Sequence, residues 1–197
     1  MRAVGIRAAR ASDHAVDSAH VPTGRRSRIA SLAAKSCILP LVMDEGQFWE
    51  VIGVAGGSAD ERALHQVWLR LRYMEPDQIL GFEDRLAEVL HRMDHRAIAK
   101  QRWRDVSEPW WMPRIPGISS DGFLYARCDA VLHGPDVVTE VIADPSRFKR
   151  RWDVSAERLL FVAQEAWEAR TGRQWDYDRE SACSYETGSN QSGGWPS

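Results

Sequence analysis

Asp121 and Arg127 are the charged residues whose positions best suit chemistry. They lie in the stretch 119–127, shortly after the adjacent tryptophans Trp110 and Trp111. An aspartate beside an aromatic surface could act as a general acid or base or hold a metal ion, and an arginine could bind an anionic ligand. The alternative is structural, because aspartate is a preferred helix cap and arginine commonly forms an ion pair. We favour the structural interpretation for both residues.

The two adjacent tryptophans predict either a binding surface or a lid over the core, and we favour the lid. Large indole rings can form the wall of a site for a planar ligand or a proline-rich peptide, and they can equally cover apolar residues where helices cannot continue. Phe123 and Tyr125 belong to the same aromatic cluster under both interpretations. The candidate ligand or partner surface therefore consists of six residues: Trp110, Trp111, Asp121, Phe123, Tyr125 and Arg127.

His91 and His95 are the only candidate metal ligands that the spacing suggests. Residues four apart on a helix share a face, which is how some helical enzymes present two imidazoles to zinc. The intervening residues are Arg, Met and Asp, so the glutamate that follows the first histidine in metalloproteases is missing. No third ligand is indicated, and a solvated polar face is the alternative. We expect no metal ion and no other cofactor.

Motifs of known catalytic families are missing from the sequence. It contains no Gly-x-Ser-x-Gly elbow, no phosphate-binding loop, no dinucleotide-binding glycine pattern and no paired Cys-x-x-Cys. Two hypotheses remain open. We favour a non-enzymatic helical interaction or regulatory module with a protein partner. The alternative is a small enzyme or ligand-binding domain with Asp121 and Arg127 beside a tryptophan-lined cleft, for which a small-molecule ligand is expected.

Composition excludes two classes of partner. The chain has 197 residues and a formal net charge of −2, which does not provide the broad positive field that binding to a nucleic acid backbone needs. No stretch approaches the roughly 18 to 20 consecutive apolar residues of a membrane helix. We therefore expect a cytoplasmic protein that binds neither nucleic acid nor membrane.

The chain divides into three zones. Residues 1–42 carry seven basic residues against two acidic ones, which predicts a disordered basic arm or an over-extended start. Residues 43–175 contain apolar residues at helical spacing and predict one helical domain. Residues 176–197 are acidic and rich in serine and glycine, which predicts a flexible tail.

Capping residues and apolar stripes predict an all-α fold of about six helices. The clearest stripe follows Pro76 and includes Ile79, Phe82, Leu86 and Leu90. Prolines 109, 113 and 116 exclude a regular helix around the two tryptophans and predict an ordered loop. The expected helix starts are a capping box of Ser58 and Glu61, Pro76, the stretch from Ser119 to Asp121, Pro135 and Ser155.

An ordered set of short motifs resembles the bacterial DUF4240 family over about residues 43–175. The motifs are Phe48-Trp49, Asp121-Gly122-Phe123, Tyr125, Arg127, Asp144-Pro145, Phe161-Val162-Ala163 and Thr171-Gly172. The chain departs from the family pattern at Ser120, where members carry aspartate, at Ala126, where they carry an aromatic residue, and at Asp129, where they carry tryptophan. The resemblance implies a helical domain and carries no assigned activity.

Overall fold

The computed structural model describes residues 43–111, 119–179, 181 and 183–196. The predicted basic arm, residues 1–42, lies outside this range. So do residues 112–118, which are the second half of the proline- and tryptophan-rich loop.

The described residues are mostly helical, so the prediction of an all-α domain is confirmed. None of the helices in this part of the chain combines the length and the apolar content needed to cross a membrane. The seven α-helices are α1 (Glu45–Gly53), α2 (Glu61–Arg72), α3 (Pro76–Arg92), α4 (Arg96–Ala99), α5 (Ser120–Leu132), α6 (Pro135–Ala143) and α7 (Leu159–Thr171).

Most of the predicted helix boundaries hold, for the reasons expected from the sequence. Proline is the first residue of α3 and of α6, where its missing N–H costs nothing. The Ser119 side chain accepts a hydrogen bond from the backbone N–H of Gly122 at 3.0 Å and so caps α5. Gly172 ends α7 in the left-handed conformation, with φ of 67°.

Two predicted caps are wrong by two residues. Asp60, not Ser58, caps α2, because its carboxylate accepts from the N–H of Ala63 at 2.8 Å. Ser58 instead donates its hydroxyl hydrogen to Asp60. Asp153 caps a 3-10 turn that runs into α7 by accepting from the N–H of Ser155 at 2.9 Å. In both cases a carboxylate takes the capping position beside a serine, since its charge also complements the helix dipole.

A short parallel sheet, which the sequence does not predict, joins the chain just before the tryptophan loop to the chain just before α7. Strand β1 (Arg104–Asp105) pairs with β2 (Arg151–Trp152). The side chain of Asp105 accepts from the backbone N–H of Val154 at 3.0 Å. The pairing therefore fixes the start of the tryptophan loop against the chain that leads to α7.

The core lies where α1, α2, α3, α5 and α7 meet. Phe48 of α1 and Phe82 of α3 are fully buried, with ring centroids 5.2 Å apart. A second aromatic group contains Phe123, Phe148 and Trp152, whose successive ring centroids lie 5.7 and 4.9 Å apart. Burial of these large apolar side chains stabilises the fold together with the aliphatic residues of the core.

Residues 183–196, here called the C-terminal segment, lie against the end of α3. The backbone N–H groups of Gly188 and Asn190 each donate to the Asp94 carboxylate at 2.9 Å. The indole N–H of Trp195 donates to the carbonyl of Asp94, also at 2.9 Å. The sequence predicts a flexible tail here because the segment is polar. It is packed instead, since its main-chain groups pair with a buried carboxylate.

Candidate functional site

Trp110 and Trp111 lie in the loop that follows β1 and are exposed, with 82% and 67% of their surface accessible. The backbone of this loop is held by arginine side chains. Arg104 donates to the carbonyl of Trp110 at 2.7 Å, and Arg151 donates to the carbonyl of Glu108 at 2.6 Å. The prediction that the two rings form a lid over the core is therefore wrong, because both are presented to solvent on a supported backbone.

Asp121 lies in the first turn of α5 and is exposed. Its carboxylate accepts a hydrogen bond from the hydroxyl of Ser120 at 3.1 Å. The expected capping role of Asp121 is wrong, because Ser119 is the cap. The Asp121 carboxylate instead interacts favourably with the positive end of the helix dipole.

Arg127 is fully buried within the same helix. Its guanidinium donates to the carbonyl of Leu90 at 2.7 Å, to the carbonyl of Tyr185 at 2.9 Å and to the hydroxyl of Thr187 at 3.2 Å. An ion pair with Asp94 spans 4.0 Å. Burial lowers the pKa of Arg127, and the charge of Asp94 opposes that shift. Arg127 therefore connects α3, α5 and the C-terminal segment and does not face a ligand.

Asp94 is a second buried charge that the sequence analysis noted only as a neighbour of the two histidines. It is fully buried, and it accepts main-chain hydrogen bonds from the C-terminal segment on one side while facing Arg127 on the other. Its position directly after α3 gave no signal of burial. The charges of Asp94 and Arg127 are buried because the C-terminal segment, which is distant in sequence, packs against both residues.

Phe123 and Tyr125 differ in exposure, although both lie on α5. Phe123 is buried, and the Arg127 guanidinium lies 4.7 Å from its ring centroid. Tyr125 is half-buried against the core. The structure therefore separates the six candidate residues into an exposed pair, Trp110 and Trp111, an exposed aspartate and a group of three associated with the core.

His91 and His95 do not share a helix face. The helix α3 ends at Arg92, and His95 precedes α4. Both histidines nevertheless line a cavity of about 590 Å³. The imidazole Nδ1 of His91 lies 2.8 Å from the carbonyl oxygen of Ser184. No cluster of three or more potential metal ligands occurs among the described residues.

Glu83 of α3 is a candidate that the sequence analysis missed. Its Oε2 atom is buried and has no hydrogen-bond partner in the described structure. Burial raises the pKa of Glu83 to about 7, although the charge of Arg179 opposes the rise. Glu83 lies four residues after Ile79 and three before Leu86, so helical spacing places it beside the apolar stripe. This spacing is the signal that could have identified it.

A comparison with known families confirms the family resemblance seen in the sequence. A family model described as protein of unknown function (DUF4240) matches residues 43–169. No curated protein and no solved structure matches the chain. The match contains all six candidate residues and ends before the C-terminal segment. Since it covers more than half of the chain, the chain belongs to the DUF4240 family.

Proposed function

We propose that the chain is a non-catalytic interaction module of the bacterial cytoplasm that binds a protein partner through Trp110 and Trp111. The observation that carries this proposal is the exposure of both indole rings, 82% and 67%, on a loop whose backbone is held in place. Tryptophan is enriched among the residues that dominate binding energy at protein interfaces.

The support from Arg104 and Arg151 favours binding over a purely structural role for the loop. Both guanidiniums donate to carbonyl oxygens between residues 105 and 110. A loop that is ordered before it binds loses less conformational entropy when a partner docks. The rings therefore occupy a position from which they can insert into pockets of a partner.

The charges on the chain entering β1 and β2 suggest what kind of partner fits. The acidic residues on these segments are Asp105, Glu108 and Asp144. Asp105 accepts a hydrogen bond from the backbone N–H of Val154, and Asp144 pairs with Arg147. Exposed basic residues are more numerous on these segments: Arg96, Lys100, Arg102, Arg147, Lys149, Arg150 and Arg151. An acidic protein segment with apolar anchors would complement both the tryptophans and this charge.

Several of these cations are already engaged, which favours a protein over a nucleic acid. Arg150 stacks on the ring of Trp152 at 4.0 Å, Arg147 pairs with Asp144 at 3.6 Å, and Arg151 holds the loop. Few cations remain to follow a phosphate backbone, whereas an acidic peptide needs only a few. The alternative of a cleft shared by Asp121 and Arg127 has less support, because Arg127 is buried.

The proposal is tested by selecting random displayed peptides against the whole protein. We expect enrichment of acidic peptides that contain apolar residues, with binding that weakens as salt is added. The double variant Trp110→Ala, Trp111→Ala should lose at least about tenfold in affinity for the selected peptides. The matched control is Tyr73→Ala, which removes another aromatic ring that is 81% exposed and should bind as the unaltered protein does.

Two results would overturn the proposal. One is equal binding of the selected peptides to the double variant. The other is a failure to select any peptide while single-stranded oligothymidine binds and quenches tryptophan fluorescence, since stacking of bases on exposed indoles would then identify a nucleic acid partner.

A further inference from the structure

We propose that a cavity between α3, α7 and the described residues 175–179, 181 and 185 binds a small organic cation that carries a methylated ammonium group. The cavity has a volume of about 240 Å³. The cavity is distinct from the Trp110 and Trp111 surface, so a negative result for one proposal does not affect the other.

A buried, unpartnered carboxylate oxygen is the first reason. Glu83 lines the cavity, and its Oε2 atom is buried without a hydrogen-bond partner in the described structure. An unsatisfied buried acceptor is costly for a fold, and a native structure retains few of them. A cationic ligand in the cavity would provide the missing interaction.

The charges around the cavity give the sign of the ligand. The neighbouring Arg179 pairs with Asp84, and its charge also acts on Glu83. Asp176 adds a further carboxylate to the cavity wall. With all groups ionised there are three carboxylates, those of Glu83, Asp84 and Asp176, against one guanidinium. The site therefore attracts cations.

Aromatic rings supply the second half of the chemistry. Four aromatic residues line the cavity: Phe161, Trp175, Tyr177 and Tyr185. The amide of Gln164 donates to the hydroxyl of Tyr177 at 2.7 Å and supports that ring. Ring faces attract methylated ammonium ions, which are more weakly hydrated than unmethylated ones and so lose less on leaving water. A carboxylate combined with several aromatic rings matches this ligand class better than a metal ion, which would need more oxygen ligands.

The size of the cavity points to a free small molecule. A volume of about 240 Å³ is below the usual range of roughly 300 to 1,000 Å³ for drug-sized ligands. A trimethylammonium group with a short tail suits this space. The same group could also reach the cavity on a methylated lysine side chain, and the test below separates the two sources.

The test compares choline with its neutral tert-butyl analogue, in which carbon replaces nitrogen, by calorimetry on the full chain. The experiment is run at low salt and at about pH 8, because the pKa of Glu83 is raised to about 7 and the carboxylate must be ionised. We expect choline to bind at least about tenfold more tightly than the analogue. Equal binding of the two, or no binding of choline, would overturn the proposal.

Two variants locate the site. Glu83→Gln should weaken choline binding by about tenfold while leaving the neutral analogue unchanged. Tyr177→Leu keeps an apolar wall without the ring, and it should reduce choline binding severalfold. The matched control is Glu50→Gln, which removes an exposed carboxylate from α1 and should bind choline normally. Unchanged choline binding in Glu83→Gln would contradict the assignment even if choline binds elsewhere.

The source of the ammonium group is decided by an acetylated, amidated trimethyllysine. If the trimethyllysine derivative binds as tightly as choline or more weakly, the result supports a free small molecule as the ligand. Binding at least about tenfold tighter than choline would show that a protein side chain supplies the group, and would overturn the small-molecule assignment.

Discussion

Arg127 is the residue at which we expect a substitution to cost the most stability. Its guanidinium contacts Leu90, Tyr185 and Thr187 and neutralises Asp94 in a fully buried environment. Residue type and spacing placed Arg127 and Trp110 in one candidate surface, although they also favoured a structural role for Arg127. Burial distinguishes them, and burial depends on contacts that are distant in sequence, so spacing could not separate the two.

Arg127→Leu should lower the free energy of unfolding by about 3–5 kcal/mol, because it leaves the charge of Asp94 buried and unpaired. Urea denaturation measures this change. The control is Arg170→Leu, which breaks an exposed ion pair of 3.4 Å with Glu75 and should cost less than about 1 kcal/mol. Similar losses in both variants would mean that Arg127 does not have the structural role described above.

Glu83→Gln should change how stability depends on pH. The carboxyl of Glu83 titrates near 4.5 in an exposed environment and near 7 in the fold. Between these values the folded state holds the proton more tightly, so the free energy of unfolding falls as the pH rises.

The neutral glutamine removes that dependence. The variant should match the unaltered protein near pH 4.5 and exceed its stability at about pH 8 by on the order of 1–3 kcal/mol. Thermal melts across this range test the sign. A variant that is less stable at the alkaline end would show that the Glu83 carboxylate is stabilised by partners when ionised.

At the scale of elements, local signals were sufficient for most helices. Apolar spacing and proline identified α3 and α6, and glycine identified the end of α7, because these effects act within a few residues. The sheet of β1 and β2 could not be predicted, because each strand has only two residues and their pairing joins positions that are 47 apart (104 to 151). The capping positions at α2 and α7 were missed because serine and aspartate compete for the same role.

The corrected cap of α2 gives a direct comparison. Asp60→Ala should lower the melting temperature by about 2–4 °C, whereas Ser58→Ala should have a smaller effect. Hydrogen bonding from the backbone of Ala63 lowers the pKa of Asp60. The benefit of Asp60 is therefore present at neutral pH and is lost in acid, as the carboxylate is protonated. A larger fall in melting temperature for Ser58→Ala than for Asp60→Ala would show that Ser58 is the cap, as the sequence suggested.

At the scale of the whole molecule, the C-terminal segment is the largest departure from the sequence prediction. Its polar composition is typical of a flexible chain, yet Asn190 and Gly193 are buried. Composition predicts whether a segment can bury its own side chains. It does not predict whether the main-chain groups of the segment will satisfy charges that the rest of the fold has buried, such as Asp94.

Gly193→Ala should detach this segment or strain it. A β-carbon at residue 193 would overlap the backbone carbonyl oxygen of Asp94. We expect a clear loss of stability and faster hydrogen exchange at the amides of Gly188 and Asn190. The matched control is Gly53→Ala, where a β-carbon meets no atom within 4 Å, and this variant should be neutral or stabilising. Slow exchange retained in Gly193→Ala would show that the backbone accommodates the extra carbon.

The distance along the chain between the buried charges and their partners also constrains how the protein is made. Arg127 and Tyr185 are 58 residues apart, and Asp94 and Asn190 are 96 residues apart. During translation, α3 and α5 leave the ribosome well before the groups that satisfy Arg127 and Asp94. The nascent chain should therefore stay sensitive to protease until residue 195 has emerged, so that this half of the domain is completed only after synthesis has passed that point.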